Sequence, residues 1–172
     1  MLRSLDGLTP KIHETAFISE FAYVVGNVEI GEGSSVWPGT VIRADNGKIT
    51  IGKNTCVQDN SVLHGDADVV IGDNVVIGHR ALCHAQTVGD RVLIGNGAII
   101  NDGVEIGEDS LIASGSMVLD NFVIPTRSIV VGIPGRIRGE VEERHITLIK
   151  GYCDAYIAKT KRYLRQDNLG TQ

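Results

Sequence analysis

The chain has 172 residues, a formal net charge of −5, 42% hydrophobic residues, only 5% aromatics and 21 glycines. An acidic balance with no long basic run argues against nucleic acid or an anionic membrane as partner. The length suits one domain with an appended element, and the composition suits a Val, Ile and Leu core in a turn-rich architecture.

The opening "MLRSLDGLTP" has no apolar run of signal-peptide length, and no stretch approaches an uninterrupted membrane span. Three cysteines, Cys56, Cys83 and Cys153, show no CxxC spacing and cannot all pair, which points to a reduced, cytoplasmic setting. From roughly residue 12 to residue 135, small aliphatic residues recur every six positions. The series runs Val24, Ile30, Val36, Ile42, then Ile51, Val57, Leu63, then Ile71, Ile77, Cys83, and continues from Val88 through Val118 and Ile124 to Val130. Glycine follows the aliphatic position in "IGEGSS", "IGKNTC", "IGDNVV" and "IGNGAI". No α-helix repeats at six. Short β segments joined by tight turns do, each with its aliphatic residue pointing inward.

This pattern resembles the hexapeptide-repeat proteins, and the resemblance implies a mainly β fold: a left-handed parallel β-helix in which three hexads make one triangular coil. The solenoid is expected to occupy residues 1–135. Three irregularities interrupt the period: three extra residues between Ile42 and Ile51, two extra between Leu63 and Ile71, and one too few between Cys83 and Val88. Extra residues in a solenoid are expected to loop out, and such loops often carry function. Pro134 and Gly135 in "VVGIPGRIRG" then break the repeat. Residues 136–166 read as an amphipathic α-helix packed on the solenoid or on a neighbouring subunit, with Ile146, Ile149, Cys153, Tyr156, Ile157 and Leu164 near 3.6 spacing and Gly151 as a weak point. Residues 167–172 read as a flexible tail.

Hexads three apart stack, so the register resolves into columns. Ile42, Leu63 and Cys83 share one column, which places the outward residues Arg43, His64 and His84 on successive coils ~4.8 Å apart. His79 follows Ile77 in a different column, one coil from Asp59. The extended chain from His79 to His84 spans up to ~16 Å, so the three imidazoles do not converge within one chain. A homotrimer closes this geometry, with His64 and His84 from one chain and His79 from the next at each interface. A lone histidine on a solenoid face is ordinarily a plain polar residue. Two in one column with a third near the adjacent edge point instead to a metal, and three imidazoles with an open fourth position suit catalytic zinc.

The same residues carry a resemblance to the gamma-class carbonic anhydrases: "RAD" with Arg43 and Asp45, "VQDNSVLH" with Gln58, Asp59 and His64, and "IGHRALCH" with His79 and His84. It implies a trimer with zinc, or Fe²⁺ or Co²⁺, at its interfaces, and reversible hydration of CO₂ to bicarbonate by a metal-bound hydroxide. It further implies His64, His79 and His84 as metal ligands, Gln58 hydrogen-bonded near the metal-bound water, and Arg43, Asp45 and Asp59 in a network across the interface. A charge-assisted Arg43–Asp59 pair between chains fits that network, with a solvated surface pair as the alternative. Tyr156 matches a helix tyrosine that leans over the site, with core packing as the equal alternative. One departure stands out. Active members carry a proton-relaying glutamate where this chain has Asn46, and another on a longer loop where it has only Asp66 and Asp68. Two readings therefore compete with a carbonic anhydrase (a lyase). One is a metal-binding trimer without turnover, serving as a scaffold, assembly subunit or metal-siderophore binder. The other is a hexapeptide acyltransferase, to which "VGIPGR" is common. His13 and His145 fall outside the site columns, Cys83 reads as core, and Trp37 is expected to face outward, towards an interface.

Overall fold

The computed structural model describes residues 1–165. The inward aliphatic residues form three parallel ladders, one for each column. Ile42, Leu63, Cys83, Ile100 and Val118 pair in succession along one. Val57, Ile77, Ile94, Ile112 and Val130 make the second, and Ile51, Ile71, Val88, Ile106 and Ile124 the third. Their side chains are all buried and fill the prism from end to end. The molecule is a left-handed parallel β-helix.

Most strands are two residues long because a hexad must also turn. The second turn residue adopts a left-handed backbone, taken by Asn at 54, 60, 74 and 121, by Gly at 33, 39, 97, 103 and 115, by Asp109, and by Arg at 80, 91 and 127. Gly and Asn tolerate that conformation at least strain. Peptide groups bond to the coils above and below, as in Gln58 N–H to the Ile77 carbonyl at 2.9 Å and His84 N–H to the Ile100 carbonyl at 2.9 Å.

The three extra residues after Ile42 do not project as a free loop. They remain within one long strand, Val41–Ile51, whose pairing with Tyr23–Ile30 jumps from Gly26↔Ala44 to Val28↔Ile49. Residues 45–48 therefore bulge opposite Asn27, which places Asp45 and Asn46 at the edge of the site. Gly26, at φ +84°, makes this possible, since a Cβ there would run into the Ala44 carbonyl. The two extra residues after Leu63 do turn out, between strands Val62–His64 and Val69–Ile71.

At the C-terminal end Arg136–Glu140, read from sequence as part of the helix, forms a strand antiparallel to Ser128–Val131. The helix runs Glu143–Leu164, unbroken at Gly151, and begins at a capping box between Glu142 and His145. It buries Ile149, Cys153, Tyr156 and Thr160, a stripe at helical spacing. Beneath that stripe lies Trp37, only 5% exposed, with ring centroids 5.2 Å from Phe17, 5.2 Å from Tyr156 and 5.0 Å from Tyr163. Trp37 thus faces outward from the solenoid, as expected, but its own chain's helix covers it. The tail assigned to residues 167–172 lies outside the described residues. Among the described residues no helix is long and apolar enough to cross a membrane.

Candidate metal centre

The ladder that aligns Ile42, Leu63 and Cys83 also pairs Arg43 with His64. His64 and His84 follow on successive coils, their ring centroids 4.7 Å apart, and His64 Nδ1 lies 2.6 Å from His84 Nε2. Both side chains are largely buried, at 12% and 17% exposure. Burial, and then the neighbouring His64, hold the His84 imidazole below its usual pKa, so it stays neutral at pH 7. The remaining nitrogens, His64 Nε2 and His84 Nδ1, are buried without a hydrogen bond. Asp45 Oδ2 lies 3.4 Å from the former and Asp102 lies against the latter, neither with hydrogen-bond geometry. Asp45 also pairs with the Arg43 guanidinium of its own chain.

His79 occupies a turn on the neighbouring edge. The turn is set by Gly78, where a Cβ would press on Asn96, and by the His79 N–H donated to Asn96 Oδ1 at 3.0 Å. His79 Nδ1 lies 3.0 Å from Asp59 Oδ2, as the column count places them. Its Nε2 lies 3.5 Å from the Tyr156 hydroxyl, at the limit of a hydrogen bond. Burial pushes the Tyr156 phenol up to about 12, so it remains a neutral donor. Gln58 is 5% exposed, and its amide meets only the weak acceptor Cys56 Sγ, at 3.8 Å. Gln58, His79 and Tyr156 line one cleft between helix and solenoid, with Asn96, Ser114 and Lys159.

The candidate residues read from sequence therefore fall into two separate halves. Arg43, Asp45, His64 and His84 sit on one, built on strands Val41–Ile51, Val62–His64 and Leu82–Cys83; Gln58, Asp59, His79 and Tyr156 sit on the other, built on the turns after Cys56–Val57 and Val76–Ile77 and on the helix. The first half fits a divalent metal. Two imidazoles present nitrogens to one point, and two buried ring nitrogens lack partners. Sequence reasoning passed over Asp102. Ile100 stacks on Cys83, so Asn101 shares the His84 column and Asp102 falls one residue beyond it. Counting one coil further was the signal that could have found it.

Fold and site together define a hexapeptide-repeat protein that carries a histidine pair on one solenoid face. A family model for "Bacterial transferase hexapeptide (six repeats)" matches residues 9–44 and 87–120. The chain is 36% identical over 165 residues to a carbonic anhydrase of Geobacillus kaustophilus, covering 95% of this chain and 91% of that one. It is 37% identical over 155 residues to the mitochondrial gamma carbonic anhydrase 1 of Arabidopsis thaliana, covering 86% of this chain but only 56% of that protein. A crystal structure of a hexapeptide transferase family protein from Anaplasma phagocytophilum superposes with a TM-score of 0.90 at 34% identity, covering 94% of this chain and 97% of that one. The chain belongs to the gamma-class carbonic anhydrase family.

Proposed function

We propose that the protein is a homotrimeric metalloenzyme that hydrates CO₂ reversibly to bicarbonate and a proton, with its metal held by His64 and His84 of one chain and His79 of the next. The division of the site residues between two edges of one prism carries this reading. Neither half offers three imidazoles, and a cyclic, heterologous interface brings the two together. An outward column of aliphatic residues beside the histidine pair, Val41, Val62, Leu82, Ile99 and Met117, supports such an interface, with Leu82 36% exposed. Three buried free cysteines support a reducing compartment such as the cytoplasm.

Zinc, or Fe²⁺ or Co²⁺, held by three imidazoles supplies Lewis acidity that renders water nucleophilic at neutral pH. The chain's own residues do the rest. The Gln58 amide and the neutral Tyr156 hydroxyl, both on the cleft beside His79, can donate to the oxygens of CO₂ as charge develops on them. Arg43 pairs with Asp45 and fixes it beside His64. An Arg43–Asp59 pair across the interface would tie the halves together.

Each hydration releases one proton, and Asn46 cannot accept it. The Asn46 amide instead donates to Asp66 Oδ1 at 3.5 Å. Turnover is therefore expected to rise with buffer concentration. The same observation favours the second reading, a metal-binding trimer without turnover. The acyltransferase reading has less support, because the turns from Thr87–Val88 to Ser128–Val131 succeed one another with no projecting loop. Stopped-flow CO₂ hydration on protein of measured metal content and measured mass separates the readings. Buffer-dependent hydration by a metal-loaded trimer supports the enzyme, and its absence at full zinc or anaerobic iron occupancy sinks it. His84→Ala is expected to remove the metal in either case.

A further inference from the structure

We propose that Asp102 is the positioning residue for His84: its carboxylate accepts the Nδ1–H hydrogen bond and leaves Nε2 bare towards His64. This rests on the reading that His64 and His84 hold a metal. A neutral imidazole carries one N–H, and the partner of one nitrogen decides what the other can do. Two facing nitrogens 2.6 Å apart, His64 Nδ1 and His84 Nε2, leave room for a single proton between them. Which ring supplies it depends on the far nitrogens. His84 Nδ1 is buried, makes no hydrogen bond, and has Asp102 Oδ1 against it. A small rotation of either side chain aligns the pair as donor and acceptor.

The arrangement repeats around the site. His79 Nδ1 faces Asp59 at 3.0 Å and His64 Nε2 faces Asp45 at 3.4 Å, so each imidazole has one nitrogen turned to a carboxylate and one turned away. Carboxylate partners of this kind fix the tautomer and ring orientation of metal-binding histidines and raise their basicity. Asp102 is well placed for the task. Its turn is pinned by the Asn121 N–H donated to the Asp102 carbonyl at 2.7 Å and by Gly103 at φ +65°. Asp66 is the rival, since its carboxylate also lies within 4.8 Å of the Asp102 and His84 atoms. It is already engaged by the Asn46 amide.

The test uses full-length protein. Zinc affinity is measured by chelator competition, and the His84 tautomer by ¹⁵N NMR of the metal-free form, for wild type, Asp102→Asn, Asp66→Asn and His84→Ala. Asp102→Asn is expected to weaken zinc binding by ~10–100-fold and to shift His84 away from the Nδ1–H tautomer, with the thermal midpoint of the metal-free protein unchanged. Asp66→Asn is expected to change neither readout. An unaltered tautomer and affinity in Asp102→Asn overturns the proposal. So does a loss of zinc in Asp102→Asn as complete as that in His84→Ala, which would make Asp102 a ligand. If His84→Ala binds zinc as wild type does, the metal-centre reading fails, and the tautomer measurement still decides the role of Asp102.

Discussion

His64 and His84 owe their meeting to a neighbour relation that a single coil cannot show, and the charged residues of later coils follow the same logic. Arg91 reaches across one coil to Asp109, with Nε 2.6 Å from Oδ1 and a second nitrogen 3.0 Å from Oδ2, and also meets Glu108 at 2.8 Å. The Arg91 hydrogen bond holds the Asp109 carboxyl below its ordinary value. A depressed carboxyl stabilises the fold above the pKa of the unfolded chain, and that contribution fades as pH falls through the lower, folded value. Because Arg91 is 41% exposed, the pair is worth about 1 kcal/mol or less. Asp109→Asn is thus expected to lose that much stability at pH 7 and to converge with wild type in the acid limb below the ordinary aspartate range. Urea unfolding from pH 7 to pH 3 reads this, and a constant gap throughout contradicts it.

At the scale of elements, the helix is held less by its own propensity than by an aromatic platform on the solenoid. Phe17 and Trp37 of the early coils meet Tyr156 and Tyr163 of the helix edge to face or tilted. Trp37 is the centre of that platform, its indole N–H bonded to Ser35 Oγ at 3.0 Å. Trp37→Ala is expected to cost about 3–5 kcal/mol, and the loss should be local. Hydrogen exchange should accelerate across Glu143–Leu164 while the strands of later coils keep their protection. A helix as protected as in wild type would show that the platform is not its anchor. The 3.6-residue spacing made the helix itself legible. It could not reveal that Arg136–Glu140 turns back as a strand, because that segment is set by pairing with Ser128–Val131 rather than by its own pattern.

For the whole molecule, the aliphatic column beside His64 and His84 has a direct consequence. Leu82 stands at its middle, 36% exposed between Val62 and Ile99. Placing a charge there buries an unpaired ammonium in the proposed interface. Leu82→Lys is expected to convert the trimer to a monomer with its β-rich circular dichroism intact and its metal lost. Light scattering and metal analysis on one sample check both together. A trimer of unchanged mass would move the interface to another face.

The hexad period alone determined the solenoid, its inward residues and the stacking of Arg43, His64 and His84, because three hexads make one coil and, once the insertions are counted out, only one register is left for the columns. The pairing of His79 with Asp59 was legible for the same reason. Tertiary structure decided what the period does not encode. It absorbed the insertion after Ile42 into a bulged strand, since Gly26 lets the Ala44 carbonyl approach. It covered Trp37 with the helix, because that large apolar surface lay within reach of a stripe ending at Tyr163. It also set the Asp102 carboxylate against His84: the column count places Asp102 one residue past the His84 column, but not which way its side chain turns.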